Sequence, residues 1–289
     1  MGCINEITGH TKLTGLLGSP VAHSKSPLMH NESFRQLDLD YVYLCFDVPE
    51  NDLKTAFEGL KKLNVSGFNC TMPDKTLICQ FLDELSPAAS MIGAVNTVVN
   101  ENGKFIGHNT DGIGYMQSVK DAGFDIIGDT MTLLGAGGAA SSIFVQAAID
   151  GVKNINVFSI KDKFWDNAER MVEMVNKNTN CTAKLFELGS DAVLADAIAD
   201  SQILTNATSV GMAPNTDNCI INDKSMLRED LIVSDVIYNP METKLLTMAK
   251  EQGCQTFNGL YMLLYQGAEA FKIWTGKEMP VEHIKKLYF

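Results

Sequence analysis

The stretch "MTLLGAGGAASSIFVQAAIDG", residues 131–151, decides the fold of the second half of the chain. An apolar, strand-like run ends at three glycines, Gly135, Gly137 and Gly138, and a helical pattern follows. Glycine lets the backbone turn tightly and approach a pyrophosphate, and the amides at the helix N-terminus then bind the anion. Ala140 occupies the place of a third glycine, where a small residue still permits close helix–sheet packing. The pattern predicts a dinucleotide-binding turn; an ordinary tight turn is the alternative.

The next strand carries a second signal for a nucleotide. The run "NINVFSI" is followed by Lys161 and Asp162. An acidic residue in this place binds the adenosine ribose hydroxyls and repels a 2′-phosphate, which favours NAD over NADP. Lys161 can partly neutralise that phosphate, and Asp162 can also be only a solvated charge at the end of a strand. NAD is therefore the predicted cofactor, with NADP left open.

Outward from this unit, strand-like and helical patterns alternate along the chain. Strands are predicted at "LTGLLG" (13–18), "YVYLCFDV" (41–48), "VSGFNCT" (65–71), "TAKLFEL", "ILTNAT" and "LIVSDVIY". Helices are predicted at "SPLMHNESFRQL", with Ser26 as the N-cap, and at "ENDLKTAFEGLKKL". Asn102-Gly103 separates two further strand-like runs and indicates a β-hairpin. This alternation is typical of an α/β fold with mostly parallel sheets.

The predicted fold class is α/β, with two domains. Residues 1–115 would form an N-terminal domain with a mostly parallel sheet, and residues 116–257 a Rossmann-type domain. Residues 258–289 include the apolar helix "GLYMLLYQGAEAFKIWTG", which we expect to pack back toward the first domain. A cleft between the two domains would hold a small ligand.

Composition and charge disfavour nucleic-acid binding, membrane binding and a disulfide-linked secreted protein. The 289 residues carry a formal net charge of -12, which disfavours binding to nucleic acid or to an anionic membrane surface. Seven scattered cysteines, including Cys3, form no C-x-x-C pair, and we expect a reducing compartment, the cytoplasm. The first ten residues show no apolar signal core. Gly2 and Cys3 resemble an acylation start, but position 6 is Glu and not the Ser or Thr that the motif needs. No metal site is predicted, and a homodimer is left open.

Polar side chains accumulate at strand ends and helix starts of the first domain. They are Ser24, Ser26, Asn69, Thr71, Lys75, Asn96 and Asp111. Hydroxyls, amides, a lysine and an aspartate suit a ligand that has several hydroxyls and a carboxylate. Each residue also has a structural alternative: a cap at Ser26 and Asp111, a hairpin hydrogen bond at Asn96, a solvated charge at Lys75. Their number makes a binding site the better interpretation.

Together these segments closely resemble the shikimate dehydrogenase family, and within it the quinate/shikimate dehydrogenases. The resemblance covers nearly the whole chain through "GSPVAHSKSPLMHN", "GFNCTMPDK", "SPAASMIGAVNTVV", "GHNTDGIG", "LLGAGGAA", "TNATSVGM", "VIYNPMETKLL" and "GLYMLLYQGAEAF". It implies NAD(P)-dependent interconversion of a ring hydroxyl and a ketone, with shikimate or quinate as the substrate.

The resemblance also implies roles for individual residues. Lys75 and Asp111 match the catalytic pair; whether Lys75 is a general base or a fixed positive charge stays open. The substrate-binding residues would be Ser24, Ser26, Tyr43, Thr71, Asn96, Tyr238 and Gln266. The cofactor-binding residues would be Gly135, Ala136, Gly137, Gly138, Ala139, Ser159, Ile160, Lys161, Asp162, Asn206, Ser209, Val236, Ile237, Tyr238, Asn239, Gly259 and Met262.

The sequence departs from the family pattern in three places. Ser159 and Ile160 replace the Asn-Arg pair with which NADP-preferring relatives bind the 2′-phosphate, and Ile160 cannot pair with a phosphate. The first loop and Thr71 resemble shikimate-specific members, whereas the second half resembles quinate-active ones, so the preferred acid stays open. Asp74 precedes Lys75 where relatives have a neutral residue or histidine, and we expect it to point into solvent. An NADP-linked biosynthetic enzyme, an enzyme for an amino- or deoxy-analogue, and a non-catalytic regulatory paralogue are the alternatives.

Overall fold

The protein folds into two compact units. The computed structural model describes residues 7–289, so Gly2 and Cys3 lie outside the described residues. Unit 1 comprises the chain up to Thr110 together with Leu264–Phe289, and unit 2 comprises Asp111–Leu263. In the described residues no helix is long and apolar enough to cross a membrane.

Unit 1 is built on a six-stranded mixed sheet. Its strands are β1 (Lys12–Gly18), β2 (Tyr41–Asp47), β3 (Gly67–Cys70), β4 (Glu84–Leu85), β5 (Thr97–Glu101) and β6 (Lys104–His108). They are arranged in the order β2-β1-β3-β5-β6-β4. The β2-β1-β3 half is parallel, and β3, β5 and β6 pair antiparallel. The parallel half places the ends of β1, β2 and β3 on one edge, where the polar loops follow.

Five helices accompany this sheet. They are α1 (Ser26–Gln36), α2 (Leu53–Lys62), α3 (Pro87–Ile92), α9 (Leu260–Thr275) and α10 (Val281–Tyr288). Short 3₁₀ helices lie at Glu50–Asp52 and Leu77–Gln80. The predicted hairpin is confirmed, since Glu101 pairs with Lys104 and both residues of the two-residue turn have positive φ.

The C-terminal helices complete the core of unit 1. Phe271 and Trp274 on α9 are buried with Phe34 on α1 and Leu16 on β1. The Trp274 indole N–H donates to the Val98 carbonyl at 2.9 Å, which anchors the helix on the sheet. The apolar face of "GLYMLLYQGAEAFKIWTG" is therefore covered by the first unit from Leu264 onward.

Unit 2 is an open, fully parallel sheet with helices. Its strands are β7 (Thr130–Leu134), β8 (Asn154–Ser159), β9 (Thr182–Glu187), β10 (Ile203–Asn206), β11 (Ile232–Asp235) and β12 (Gln255–Asn258). The helices are α4 (Asp111–Asp121), α5 (Gly138–Asp150), α6 (Trp165–Asn178), α7 (Asp191–Ala199) and α8 (Lys244–Glu251), with a 3₁₀ turn at Lys224–Met226. The strand order β9-β8-β7-β10-β11-β12 is the Rossmann order, which reverses direction between β7 and β10.

The structure differs from the sequence expectations at several element limits. β3 is shorter than "VSGFNCT", and β12 was not predicted, because "QTFN" lacks a buried apolar run. The prediction of Ser26 as an N-cap is wrong: Lys25 is the N-cap, and Ser26 is the first helical residue. The Ser26 backbone N–H donates to the hydroxyl of Ser24 at 3.2 Å.

Candidate active site

The centre of unit 1 holds a buried polar network beside the ends of its parallel strands. Tyr43 on β2 is fully buried, and its hydroxyl donates to Asn69 Oδ1 at 2.7 Å. Asn69 Nδ2 donates to the Asn96 carbonyl and to Thr97 Oγ1, each at 3.0 Å. Burial raises the pKa of Tyr43 well above its usual value, so the phenol keeps its proton. The network fixes polar side chains of three strands in one geometry.

Asn96 also fixes the backbone that leads to Asp111. Its Oδ1 accepts the Thr110 N–H at 2.8 Å, and its Nδ2 donates to Thr110 Oγ1 at 3.0 Å. The neighbouring Val95 N–H donates to the Lys75 carbonyl at 2.8 Å. The Asn96 side chain therefore hydrogen-bonds to Thr110, which lies just beyond the hairpin. Together with the bond of Val95, it connects the residue before Asp111 to the chain at Lys75. Asp111 is the first residue of α4, where a carboxylate is favoured by the helix dipole.

The two predicted carboxylate-binding serines lie at the start of α1. Ser24 and Ser26 are both half-buried. The Ser26 side chain lies near the Tyr43 phenol and lowers the pKa of Tyr43, against the larger effect of burial. The Ser26 side chain makes no capping hydrogen bond, so its hydroxyl does not contribute to the stability of α1.

His30 and Asn31 support Tyr43 and were not predicted as site residues. Asn31 brackets the Tyr43 backbone, accepting its N–H at 2.8 Å and donating to its carbonyl at 2.9 Å. The His30 ring stacks on the Tyr43 ring with 4.5 Å between centroids. Burial lowers the pKa of His30 to about 3, so the ring stays neutral. Their position on a helix in an apolar-periodic segment gave no functional signal.

Thr71 and Lys75 lie in the turn that follows β3. The Thr71 N–H donates to the Leu17 carbonyl at 2.9 Å, and its own carbonyl accepts the Asp74 N–H at 2.9 Å. Both Thr71 and Lys75 are half-buried, and the Met72–Pro73 bond between them is cis. Gln266 lies on α9 beside Gly267, where an added Cβ would overlap the Met29 side chain of α1.

Asp74 does not point into solvent, so that expectation is wrong. Its relative exposure is 0%, and neither carboxylate oxygen has a hydrogen-bond partner among residues 7–289. Burial, and secondarily the charge of Glu50, raise the pKa of Asp74 to about 6. The turn before Lys75 places this side chain inward because the Asp74 backbone bonds to both Thr71 and Ile78.

The glycine turn of unit 2 has the shape that a dinucleotide requires. Gly135 has φ +110°, and a Cβ there would approach Thr208 Cγ2 at 2.9 Å and the Ala207 carbonyl at 3.0 Å. The loops after β7 and β10 therefore meet at the point where the strand order reverses. Gly137 is the N-cap of α5, and a Cβ at Gly137 or Gly138 would meet open space. The N-terminus of α5 is thus accessible to an anion.

Asn206 and Asp235 shape the neighbouring loops. Asn206 Oδ1 accepts from the Thr208 N–H and hydroxyl, and its Nδ2 donates to Asp235 Oδ1 at 3.1 Å. Asp235 is buried and also accepts from Thr243 Oγ1 at 2.7 Å and from the Ile237 N–H at 3.0 Å. Asp235 was missed, although a charge inside the apolar run "LIVSDVIY" is the signal that could have found it.

Val236 and Gly259 meet at the carboxyl ends of β11 and β12. A Cβ at Gly259 would overlap the Val236 carbonyl, so only glycine fits there. The other predicted contacts in this region follow the strands. Ser209, Tyr238 and Asn239 are exposed loop residues, Ile237 and Ala136 are buried, and Ala139 and Met262 are half-buried.

The segment after β8 lies at the same edge of the sheet. Ser159 is the last residue of β8 and is buried, whereas Ile160 is 58% exposed. Asp162 Oδ1 accepts the Phe164 N–H at 2.9 Å, which closes the turn into α6. Lys161 Nζ lies 3.0 Å from Glu187 Oε2 on the neighbouring strand. The fold therefore adds Glu187 to the predicted cofactor-binding segment 159–162.

In the residues that the structure describes, no group of three or more His, Cys, Asp or Glu side chains could hold a metal ion. The six described cysteines are free thiols.

Comparison with known proteins decides the family. Residues 16–98 match the shikimate dehydrogenase substrate binding domain, and residues 259–287 match the shikimate 5'-dehydrogenase C-terminal domain. A curated relative from Listeria innocua, shikimate dehydrogenase (NADP(+)), is 56% identical over 98% of both chains. The chain belongs to the shikimate dehydrogenase family.

Solved structures of this family share the whole fold. Shikimate 5-dehydrogenase from Listeria monocytogenes, in complex with shikimate and NAD, has a TM-score of 0.95 and 55% identity over 98% of both chains. Quinate dehydrogenase from Corynebacterium glutamicum, in complex with NAD, has a TM-score of 0.83 and 30% identity over 96% of this chain and 98% of that one. The predictions of family, of oxidoreductase class and of the α/β fold are confirmed.

Proposed function

We propose that the protein interconverts shikimate and 3-dehydroshikimate by hydride transfer with NAD(P), and that it also accepts quinate. The observation that carries the proposal is the buried network of Tyr43, Asn69 and Asn96 in unit 1. Asn96 in this network accepts the N–H of Thr110, the residue before Asp111, and the adjacent Val95 N–H donates to the Lys75 carbonyl. The identities to relatives named for shikimate support this substrate class. The quinate dehydrogenase at 30% identity supports the second acid.

In this proposal each side chain has one task. Ser24 and Ser26 would bind the substrate carboxylate with their hydroxyls, and the hydroxyl of Ser26 does not cap α1. Thr71, Asn96 and Gln266 would bind ring hydroxyls together with Tyr43 and Tyr238, which restricts the ring to one orientation. The chain around Gly135–Gly138 and the N-terminus of α5 would hold the pyrophosphate.

Proton transfer is assigned to Lys75 and Asp111. NAD(P), when bound, supplies the hydride acceptor, and the hydroxyl proton must leave as the ring carbon is oxidised. Lys75 Nζ takes up that proton and returns it in the reverse direction, while Asp111 orients the lysine and the hydroxyl.

Two matched variants test this assignment. Lys75→Met removes both the proton carrier and the charge, so kcat falls by about 10³-fold while NAD binding persists. Lys75→Arg keeps the positive charge but does not release a proton, so it is expected to be as inactive as Lys75→Met. Recovery of activity in Lys75→Arg alone would assign Lys75 as a fixed charge. Activity like that of the wild type in Lys75→Met would refute the assignment.

We further propose that NAD is preferred over NADP. Ile160 offers no charge to a 2′-phosphate, and Lys161 is already paired with Glu187. One relative is named for NADP(+) and another is bound to NAD, so both cofactors occur in the family. Rates with the two nucleotides at equal concentration test this preference.

A further inference from the structure

Two neighbouring strands of unit 2 end beside each other with opposite charges. Ser159 at the end of β8 is in register with Glu187 at the end of β9. The Leu188 N–H donates to the Ser159 carbonyl at 2.8 Å, which fixes this pairing one residue further. Glu187 therefore projects beside the segment 159–162, although it lies 25 residues after Asp162 in the sequence.

Lys161 is held on two sides. Its Nζ lies 3.0 Å from Glu187 Oε2 and 5.4 Å from the centre of the Trp165 ring. The carboxylate binds the ammonium directly, and the indole face attracts the same charge. The next carboxylate, Asp162, is turned onto the Phe164 N–H. Lys161, a residue of the predicted cofactor-binding segment, is thus paired with the carboxylate of Glu187.

We propose that Glu187 is a positioning residue that sets the preference for NAD over NADP through Lys161. A 2′-phosphate that binds Lys161 would have to share its ammonium with Glu187 and would be repelled by that carboxylate. NAD has a neutral hydroxyl in this place, so it neither competes for Lys161 nor is repelled by Glu187. This inference rests on the proposed function, because it assumes a dinucleotide at the glycine turn.

The test replaces only the charge of Glu187. In Glu187→Gln the side chain keeps its size and is more than half exposed, so folding is preserved. We expect the ratio of kcat/KM for NADP+ to that for NAD+ to rise about three- to tenfold at low ionic strength. The ratio of the two dissociation constants, measured by titration calorimetry, should shift by the same factor.

Two further variants make the test specific. Glu251→Gln removes one negative charge from a matched surface pair with Lys224 in the same unit and should leave the ratio unchanged. Lys161→Met in the Glu187→Gln background should return the ratio to the value of the wild type, because the freed ammonium is the proposed cause.

The outcomes separate this inference from the proposed function. A wild-type protein that binds neither nucleotide and shows no turnover would overturn the proposed function. Normal turnover with a ratio that changes less than twofold in Glu187→Gln would overturn the role of Glu187 alone. An equal rise in Glu251→Gln would also overturn it, since net charge would then explain the effect.

Discussion

Asp74→Asn is expected to stabilise the protein at neutral pH. Asp74 is fully buried, both of its oxygens lack partners among the described residues, and its pKa is raised to about 6. An acid whose pKa is higher in the folded than in the unfolded chain stabilises the fold only while protonated. That contribution is complete below the unfolded value of about 3.9 and is lost as the pH rises through about 6.

The magnitude follows from the difference between the two pKa values. A shift of about two units corresponds to at most about 3 kcal/mol at pH 7 and above. Water at the exposed turn residues Met72 and Pro73 screens part of this cost, so we expect about 1–2 kcal/mol. Asparagine has nearly the same shape and cannot ionise, so Asp74→Asn should recover this free energy of unfolding.

The assay is urea unfolding of both proteins between pH 5 and pH 8. The advantage of Asp74→Asn should grow from pH 5 to pH 7 and stay level above pH 7. Asp235→Asn is the control, because Asp235 is equally buried but accepts three hydrogen bonds, and its loss should destabilise the protein by about 1–2 kcal/mol. An Asp74→Asn protein that is no more stable than the wild type at pH 8, or a gain in stability that is independent of pH, would mean that the buried charge of Asp74 does not destabilise the fold.

Three other substitutions give distinct signatures. Tyr43→Phe removes the donor to Asn69 and should lower the free energy of unfolding by about 1–2 kcal/mol in urea melts; no change would mean that the network is not held by this bond. Gly259→Ala should cost more than about 2 kcal/mol, seen as a lower Tm, because its Cβ would overlap the Val236 carbonyl, and an unaltered Tm would contradict that packing. Ser26→Ala should raise the KM for shikimate about tenfold without lowering the Tm, since its hydroxyl does not cap α1; a lower Tm with unchanged KM would restore the capping interpretation.

Much of the fold could be predicted from local patterns. The glycine turn after an apolar run gave β7 and α5, and Asn102-Gly103 gave the hairpin of β5 and β6, because these turns depend on backbone conformations that few residues allow. β12 was missed because its residues are only partly buried at the sheet edge. Its strand character comes from pairing with β11 and not from its own composition.

The candidate site was predictable where residue type and position both carry chemistry. Tyr43 and Asn96 could be named from the resemblance, yet their hydrogen bonds to Asn69 and Thr110 required the folded chain. Burial of Asp74 was predicted wrongly: its turn is closed by local bonds to Thr71 and Ile78, but it is anchored to the distant residues Leu17 and Val95. Glu187 was invisible for the same reason: only strand register brings it to Lys161.

In the proposed function this chain transfers hydride between a ring alcohol and a nicotinamide, with Lys75 as the proton carrier. The most direct measurement is the initial rate of NADH formation from NAD+ with shikimate and with quinate, for the wild type and for Lys75→Met. We expect substrate-dependent NADH formation by the wild type and none above background by a folded, NAD-binding Lys75→Met. Equal rates in the two proteins, or no rate with either acid in a wild type that binds NAD, would contradict it.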